Sequence, residues 1–295
     1  MVDTPVRTSN LISANGARHT RRPWGTWARH IIVGFCVLTI IFPIFWVIVL
    51  SVKSLPDAYT NAIWPQRFDF GHYSYALRHN ETLPKNLLNS VIVTVGTVVV
   101  TTICAVFAGY ALVHLRTPGR RVILALFVAS MFFPTRVTAL IAIWQIQKNL
   151  GLLNVTWGLV LPYVTLGLAL SVFIMRGIFE TIPRELADAA RIDGCGPWSM
   201  FWQIMLPLVR NGVVVVIIVN FVSAWGEYLL ASTLMADQDT RTLPVVLASA
   251  AGGMGAWSWP RIAAAYVMAI TPALIAFGIA QRWYMKGLQE GALKL

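Results

Sequence analysis

Charge is what this sequence has least of. Only 12% of its 295 residues are Asp, Glu, Lys or Arg, against about 25% in a soluble domain. Acidic side chains number 12 and basic ones 23. The resulting net charge of +11 suits either nucleic acid or the flanks of membrane spans, and a hydrophobic content of 57% selects the bilayer and excludes a nucleic-acid partner. The same apolar content excludes disorder. The three cysteines (Cys36, Cys104, Cys195) are odd in number and far apart, so they form neither a disulfide framework nor a zinc site. His19, His30, His72, His79 and His114 lack metal-ligand spacing, and Ser and Asp form no nucleophile elbow. No catalytic or metal-binding residue is therefore expected. There is also no Gly-Lys pair, which a phosphate-cradling P-loop requires.

What the chain has instead is long apolar runs. A bilayer crossing needs about 20 apolar residues, and six runs qualify: Ile31–Leu50, Val91–Val113, Val122–Trp144, Trp157–Met175, Val213–Met235 and Ile262–Ala280. The expected fold is all-α, a polytopic membrane protein with six transmembrane helices. The first run is too long for a signal-peptide core and reads as a retained helix. Pro43, Pro134, Pro162 and Pro272 lie inside runs and mark kinks, tolerated where neighbouring helices re-satisfy the freed carbonyls.

Loop charge sets the orientation. With the N-terminus inside, fifteen Lys and Arg fall on inner segments and seven on outer ones, which favours both termini in the cytoplasm. The domain organisation is then a cytoplasmic tail (1–29), a six-span transmembrane domain (30–284) and a second cytoplasmic tail (285–295). An aromatic-containing segment, 54–85, forms an external lobe. Trp24, Trp27 and Trp283 sit at one interface and Trp157, Trp257 and Trp259 at the other, as anchors.

The cytoplasmic segment 179–211 is the most informative. Pro183 suits a first helical turn, with Thr181 as candidate cap and Glu185 near the positive end. Leu186, Ala187, Ala189 and Ala190 favour helix, and Gly194 is a natural stop. Pro197 opens a second helix that Pro207 breaks. The expectation is a helix–turn–helix at the inner face, with small alanines for close approach and Glu185, Asp188, Arg191 and Asp193 for charge pairing. By pattern alone a docking surface and a plain amphipathic loop helix both remain open.

Asp188-Ala189-Ala190, three residues, Gly194, nine residues, then Ile204-x-Leu206-Pro207 resembles the cytoplasmic EAA loop of ABC-importer permease subunits, with Asp188 in place of the usual Glu. Arg191-Ile192-Asp193-Gly194 resembles the carbohydrate-uptake, maltose-type branch. Further matches are Gly151-Leu152-Leu153-Asn154 with Trp157-Gly158-Leu159, Leu161-Pro162-Tyr163, Trp225-Gly226-Glu227-Tyr228 and Gly287-Leu288 with Gly291-Ala292.

The resemblance implies a subunit of an ATP-driven, binding-protein-dependent sugar importer in the cell inner membrane, not itself an enzyme. It implies three kinds of partner: a second homologous permease, two ABC ATPase subunits that carry ATP and Mg, and an extracytoplasmic solute-binding protein docking partly on the lobe. This chain itself would bind no cofactor. The coupling residues it implies are Glu185, Asp188, Ala189, Ala190, Asp193, Gly194, Ile204, Leu206 and Pro207. The tail after Tyr284 reads equally as an ATPase contact or a topology anchor.

Charged groups at membrane depth face a cavity or a partner. Arg136 and Glu227 each lie 14 residues into an outward-running span, about 21 Å from its inner end, so they either pair or share a level of the translocation path. Asn220, Ser223 and Glu227 form a polar stripe at helical spacing. Trp225 and Tyr228 flank it as sugar-stacking candidates, and a basic outer rim suits an anionic substrate. The alternative to an ATP-driven importer is an ion- or proton-coupled transporter with Glu227 as relay.

Overall fold

The computed structural model describes residues 23–60, 62–78, 83–132, 139–252 and 257–292. Among them the regular structure is helical, apart from one antiparallel bridge between Lys53 and Phe68. They fall into two compact units, one ending at Trp46 and one beginning at Val47. The first consists of most of α1 (Pro23–Ser51), whose apolar side chains, Phe35, Leu38 and Phe42 among them, are exposed. Phe42 stacks on Trp46 within it, with ring centroids 6.3 Å apart.

The second unit begins with the last turn of α1 and the lobe. Ser51 and Tyr73 share a hydroxyl hydrogen bond of 2.7 Å, and the buried Asp57 carboxylate accepts the Gln66 N–H at 2.7 Å. Lys53 donates its ammonium to the Ala62 carbonyl. These bonds fold 51–70 onto α2 (Gly71–Arg78). From there the helices run α3 (Leu83–His114), α4 (Arg120–Phe132), α5 (Leu140–Asn149), α6 (Val160–Glu180), α7 (Arg184–Ile192), α8 (Pro197–Leu208), α9 (Arg210–Trp225), α10 (Leu229–Leu234), α11 (Leu243–Gly252) and α12 (Trp259–Ala292).

Helix α3 is built inside-out relative to a soluble helix. Asn86, Asn89, Ser90, Thr94, Thr97 and Thr101 are buried, while Val91, Ile92, Val95, Val99 and Ile103 are exposed. Lipid is as apolar as Leu, so packing and polar contacts, not apolar burial, hold such helices together. Close approach follows. A Cβ on Gly109 would lie 2.9 Å from the Met175 Cβ and 3.1 Å from the Arg176 nitrogen, so α3 and α6 touch nearly backbone to backbone there.

Four helices, or stretches of helix, are long and apolar enough to cross a membrane: Arg29–Ser51, Leu83–His114, Thr156–Glu180 and Trp259–Gln281. A fifth candidate is the bent pair α8 and α9, which meet at 74°. The expected third span is covered only by the separate helices α4 and α5, and residues 133–138 between them lie outside the described set. The expected fifth span is not one helix. It stops at Trp225, with Gly226 as its C-cap still donating to the Val222 carbonyl at 3.3 Å, and resumes as α10 after Glu227 and Tyr228. Pro43 and Pro272 do lie inside α1 and α12, whereas Pro162 occupies the first turn of α6, where its missing N–H costs nothing. Pro134 lies outside the described residues.

Candidate functional site

Two places in the second unit gather the residues of interest. The first is α7, the short helix after α6. Thr181 does not cap it. That residue closes α6, its hydroxyl donating to the Ile178 carbonyl at 2.8 Å, and Pro183 holds the N-cap position of α7 without a side-chain bond. The other end matches expectation in detail. Gly194 takes φ +80°, its N–H reaches the Arg191 carbonyl at 3.1 Å, and the Cys195 N–H reaches the Ala190 carbonyl at 2.9 Å. This pair of bonds is the Schellman stop, which needs a left-handed residue and therefore favours glycine.

One face of α7 is spent on anchorage. Ala187 and Ala190, three apart, are buried in a cluster with Phe179, Met200, Phe201 and Met205. Ile204 and Leu206 pack against the same cluster. Two hydrogen bonds join the assembly to the end of α3: Tyr110 Oη donates to the Pro197 carbonyl at 2.7 Å, and Arg191 Nη2 to the His114 carbonyl at 3.2 Å. Arg191 Nη1 also holds Asp188 at 2.7 Å, so the carboxylate that departs from the family's Glu is used within its own helix. Glu185, Leu186, Ala189, Asp193, Gly194 and Pro207 are exposed, as is Ile192 at 86%.

Pro207 does not break α8 where it stands. The chain accommodates it with a π-helical stretch over Phe201–Met205, continues through Leu208, and bends at Val209. A proline removes one helical donor and clashes with the carbonyl four residues back, and a wider turn just before it absorbs both effects.

The second place is a small cleft of about 110 Å³ between α3, α6 and α9, lined by Thr97, Tyr163, Gly167, Asn220, Ser223 and Glu227. The polar stripe on α9 is thus brought together, but Glu227 reaches it from the break and not from a continuous helix, which removes the basis of the depth arithmetic. Its carboxylate is a helix cap. Oε1 accepts the Leu230 N–H at 3.0 Å, Oε2 accepts the Ala231 N–H at 3.2 Å, and Oε2 also accepts Tyr163 Oη at 2.7 Å. The start of α10 supplies donors and positive potential to a charge that is only 8% exposed.

On α9, the Asn220 amide donates to Ser171 Oγ of α6 and to the Val216 carbonyl of its own helix, both at 2.8 Å. Its Oδ1 sits against Gly167, where any Cβ would collide with it. Tyr163, Gly167 and Ser171, at intervals of four, form the α6 half of a polar lock. Trp225 points elsewhere, its indole donating to the Ala269 carbonyl at 3.1 Å, and Tyr228 is half exposed outside the cleft. Arg136 lies outside the described residues.

Sequence reasoning missed the loop clamp behind α10. Asn154 adopts φ +58°, and its Oδ1 accepts the N–H groups of Ala236 at 2.6 Å and Asp237 at 3.3 Å. Asn86 and Asn89 on α3 donate to the carbonyls of Gln238, Asp239 and Arg241. The available signal was the Gly151–Asn154 stretch, a turn followed by an αL-tolerant residue.

The family described as "Binding-protein-dependent transport system inner membrane component" matches residues 101–289. The chain is 34% identical over 268 residues to the sulfoquinovosyl glycerol transport system permease protein SmoH of Agrobacterium fabrum, covering 90% of this chain and 93% of that protein. It is 31% identical over 287 residues to the maltose/maltodextrin transport system permease protein MalG of Escherichia coli, covering 90% and 94%. Its backbone matches a chain of a bacterial ABC transporter involved in import of the acidic polysaccharide alginate with a TM-score of 0.79, covering 89% and 97% at 23% identity, a likeness of fold.

Proposed function

The chain belongs to the inner-membrane components of binding-protein-dependent transport systems, and from that membership we propose how its parts work. It is a permease subunit of an ATP-driven sugar importer, a transporter component whose ATP hydrolysis is carried by separate subunits. This takes the place of the ion-coupled alternative. In our reading six spans cross the bilayer with both termini cytoplasmic, and the chain forms half of the translocation pore beside a second homologous permease. Two ATPase subunits, holding ATP and Mg, bind below, and a solute-binding protein docks outside, partly on the 54–85 lobe.

The coupling element is α7 with α8. The observation that carries this is the division of α7 into two faces: Ala187 and Ala190 are buried, Arg191 and the Pro197 carbonyl are bonded to α3, and the opposite face is open. A short helix so anchored moves as one body with α3 and α6. ATP-driven closure of the subunits gripping its open face, through Glu185, Asp188, Ala189, Asp193 and Gly194, then displaces the spans. Ile204 and Leu206 transmit the displacement from inside, and Val209, just past Pro207, is the elbow to α9.

Asn220, Ser223 and Glu227 border the pathway at the cleft, with Glu227 fixing its shape as a cap. Trp225 and Tyr228 serve as helix-packing and rim residues, and Arg136 is assigned to the same pathway by its place in the sequence. Purification of the tagged chain from its native membrane tests the reading. A second permease and an ATPase should co-purify, and sugar uptake should require ATP hydrolysis. Uptake by the chain alone, abolished by an uncoupler, would contradict it.

A further inference from the structure

Between α7 and the ends of α3, α4 and α6 lies a cavity of about 580 Å³, within the size range of ligand sites. Its walls carry Arg120, Arg184, Arg191 and His114, with Glu180 and Asp188 as the acidic members. Both carboxylates are already engaged. Glu180 Oε1 accepts Arg176 at 2.8 Å and, more loosely, Arg120 at 3.4 Å, while Asp188 holds Arg191. Arg184 has no ion pair among the described residues. His114 Nε2 is buried without a hydrogen-bond partner. Arg116, just past α3, and Arg121, in the first turn of α4, are exposed. Among the described residues the cavity therefore keeps three guanidinium groups against two carboxylates, with Arg184 unpaired and Arg120 held only loosely.

We propose that this cavity binds a phosphate-ester anion, held by Arg120 and Arg184, which wedges the coupling helix against the spans. Guanidinium groups bind phosphate oxygens through paired N–H donors. The site lies at the ends of two candidate spans, Leu83–His114 and Thr156–Glu180, which is headgroup depth. Basic pockets between spans on the cytoplasmic side take anionic headgroups. The lipid source rests on the cytoplasmic placement of α7 in the reading above, whereas a soluble phosphate compound would fit the same donors from either side. Bound there, the anion would bridge the α4 end to α7 and stiffen the lever.

The test is binding to the full-length chain, read without any ATPase, so that its failure leaves the coupling reading untouched. The chain is placed in nanodiscs of phosphatidylcholine alone or mixed equally with phosphatidylglycerol, and native mass spectrometry counts the phosphatidylglycerol retained. Retention by the parent chain, about tenfold weaker in Arg120→Gln/Arg184→Gln and unchanged in Arg67→Gln on the lobe, supports a lipid headgroup. Inorganic phosphate that binds in pure phosphatidylcholine with the same arginine dependence supports the soluble source. Retention of both probes unaltered by the double substitution, or absent from the parent chain, overturns the proposal.

Discussion

Tyr163 Oη donates to Glu227 Oε2 at 2.7 Å, across 64 residues of sequence, and ties α6 to the break between α9 and α10. The same carboxylate caps α10 through two backbone N–H groups. A buried charge that accepts three hydrogen bonds is stabilised in place, and removing a partner exposes an unmet group.

Glu227→Gln should therefore be worse than Tyr163→Phe. An amide turns one acceptor into a donor that opposes the N–H group of Leu230 or Ala231. We expect a loss of about 2–3 kcal/mol for Glu227→Gln and about 1–2 kcal/mol for Tyr163→Phe, with the double variant non-additive by at least 0.5 kcal/mol, roughly the lower limit for residues in contact. Melting of the purified chain in detergent measures all three. Additive losses would separate the two residues.

Glycines on α3 and α6 should respond to their surroundings and not to helix propensity. Gly109→Ala places a methyl group against Met175 and the Arg176 backbone, whereas Gly177→Ala meets nothing within 4 Å. The first should cost about 1–3 kcal/mol, and the second should be neutral or slightly stabilising, since Ala favours helix by up to about 1 kcal/mol. The same melting assay distinguishes them.

Gly194 offers a cleaner backbone test, because its φ is +80° yet, beyond its own chain neighbours, nothing lies within 4 Å of where its Cβ would be. Gly194→Ala should lower stability by about 1–2 kcal/mol through conformation alone, and Gly194→Asn by less. Equal losses for the two would place the constraint elsewhere.

Tyr110→Phe removes the bond from α3 to the Pro197 carbonyl while keeping the ring among Phe179 and Phe201. The fold should lose only about 1 kcal/mol. In the assembled importer, sugar uptake per ATP hydrolysed should fall severalfold while the ATPase rate persists. An unchanged ratio would show that α8 does not transmit force through this contact.

Much of α7 was legible in the sequence, because its start and stop are encoded locally by Pro183 and Gly194; the alanines were expected to offer close approach to a partner, whereas Ala187 and Ala190 turn inward onto this chain's own core and only Ala189 stays open. Its cap was misread, since Thr181 has two helices within reach and the earlier one claims its hydroxyl. The break in the fifth apolar run was hidden because apolar residues resume at Leu229 and Leu230 directly after it. Gly226 followed by Glu227, an acidic residue just ahead of an apolar stretch, was the local clue to a new helix start. Helix α11 escaped notice at ten residues, too short for a span. The pairing of Tyr163 with Glu227, and the asparagines that hold 236–241, depend on tertiary contacts that no window of sequence contains.

The most direct measurement of the lever is disulfide or bifunctional cross-linking from Ala189→Cys, with Cys36, Cys104 and Cys195 replaced by Ser. The introduced thiol lies on the open face of α7, on a residue with no polar partner to lose. It should capture a nucleotide-hydrolysing subunit from the cytoplasmic side, with a yield that changes when ATP is added. A thiol that is labelled only from outside the cell, or that captures no such subunit, would contradict the account.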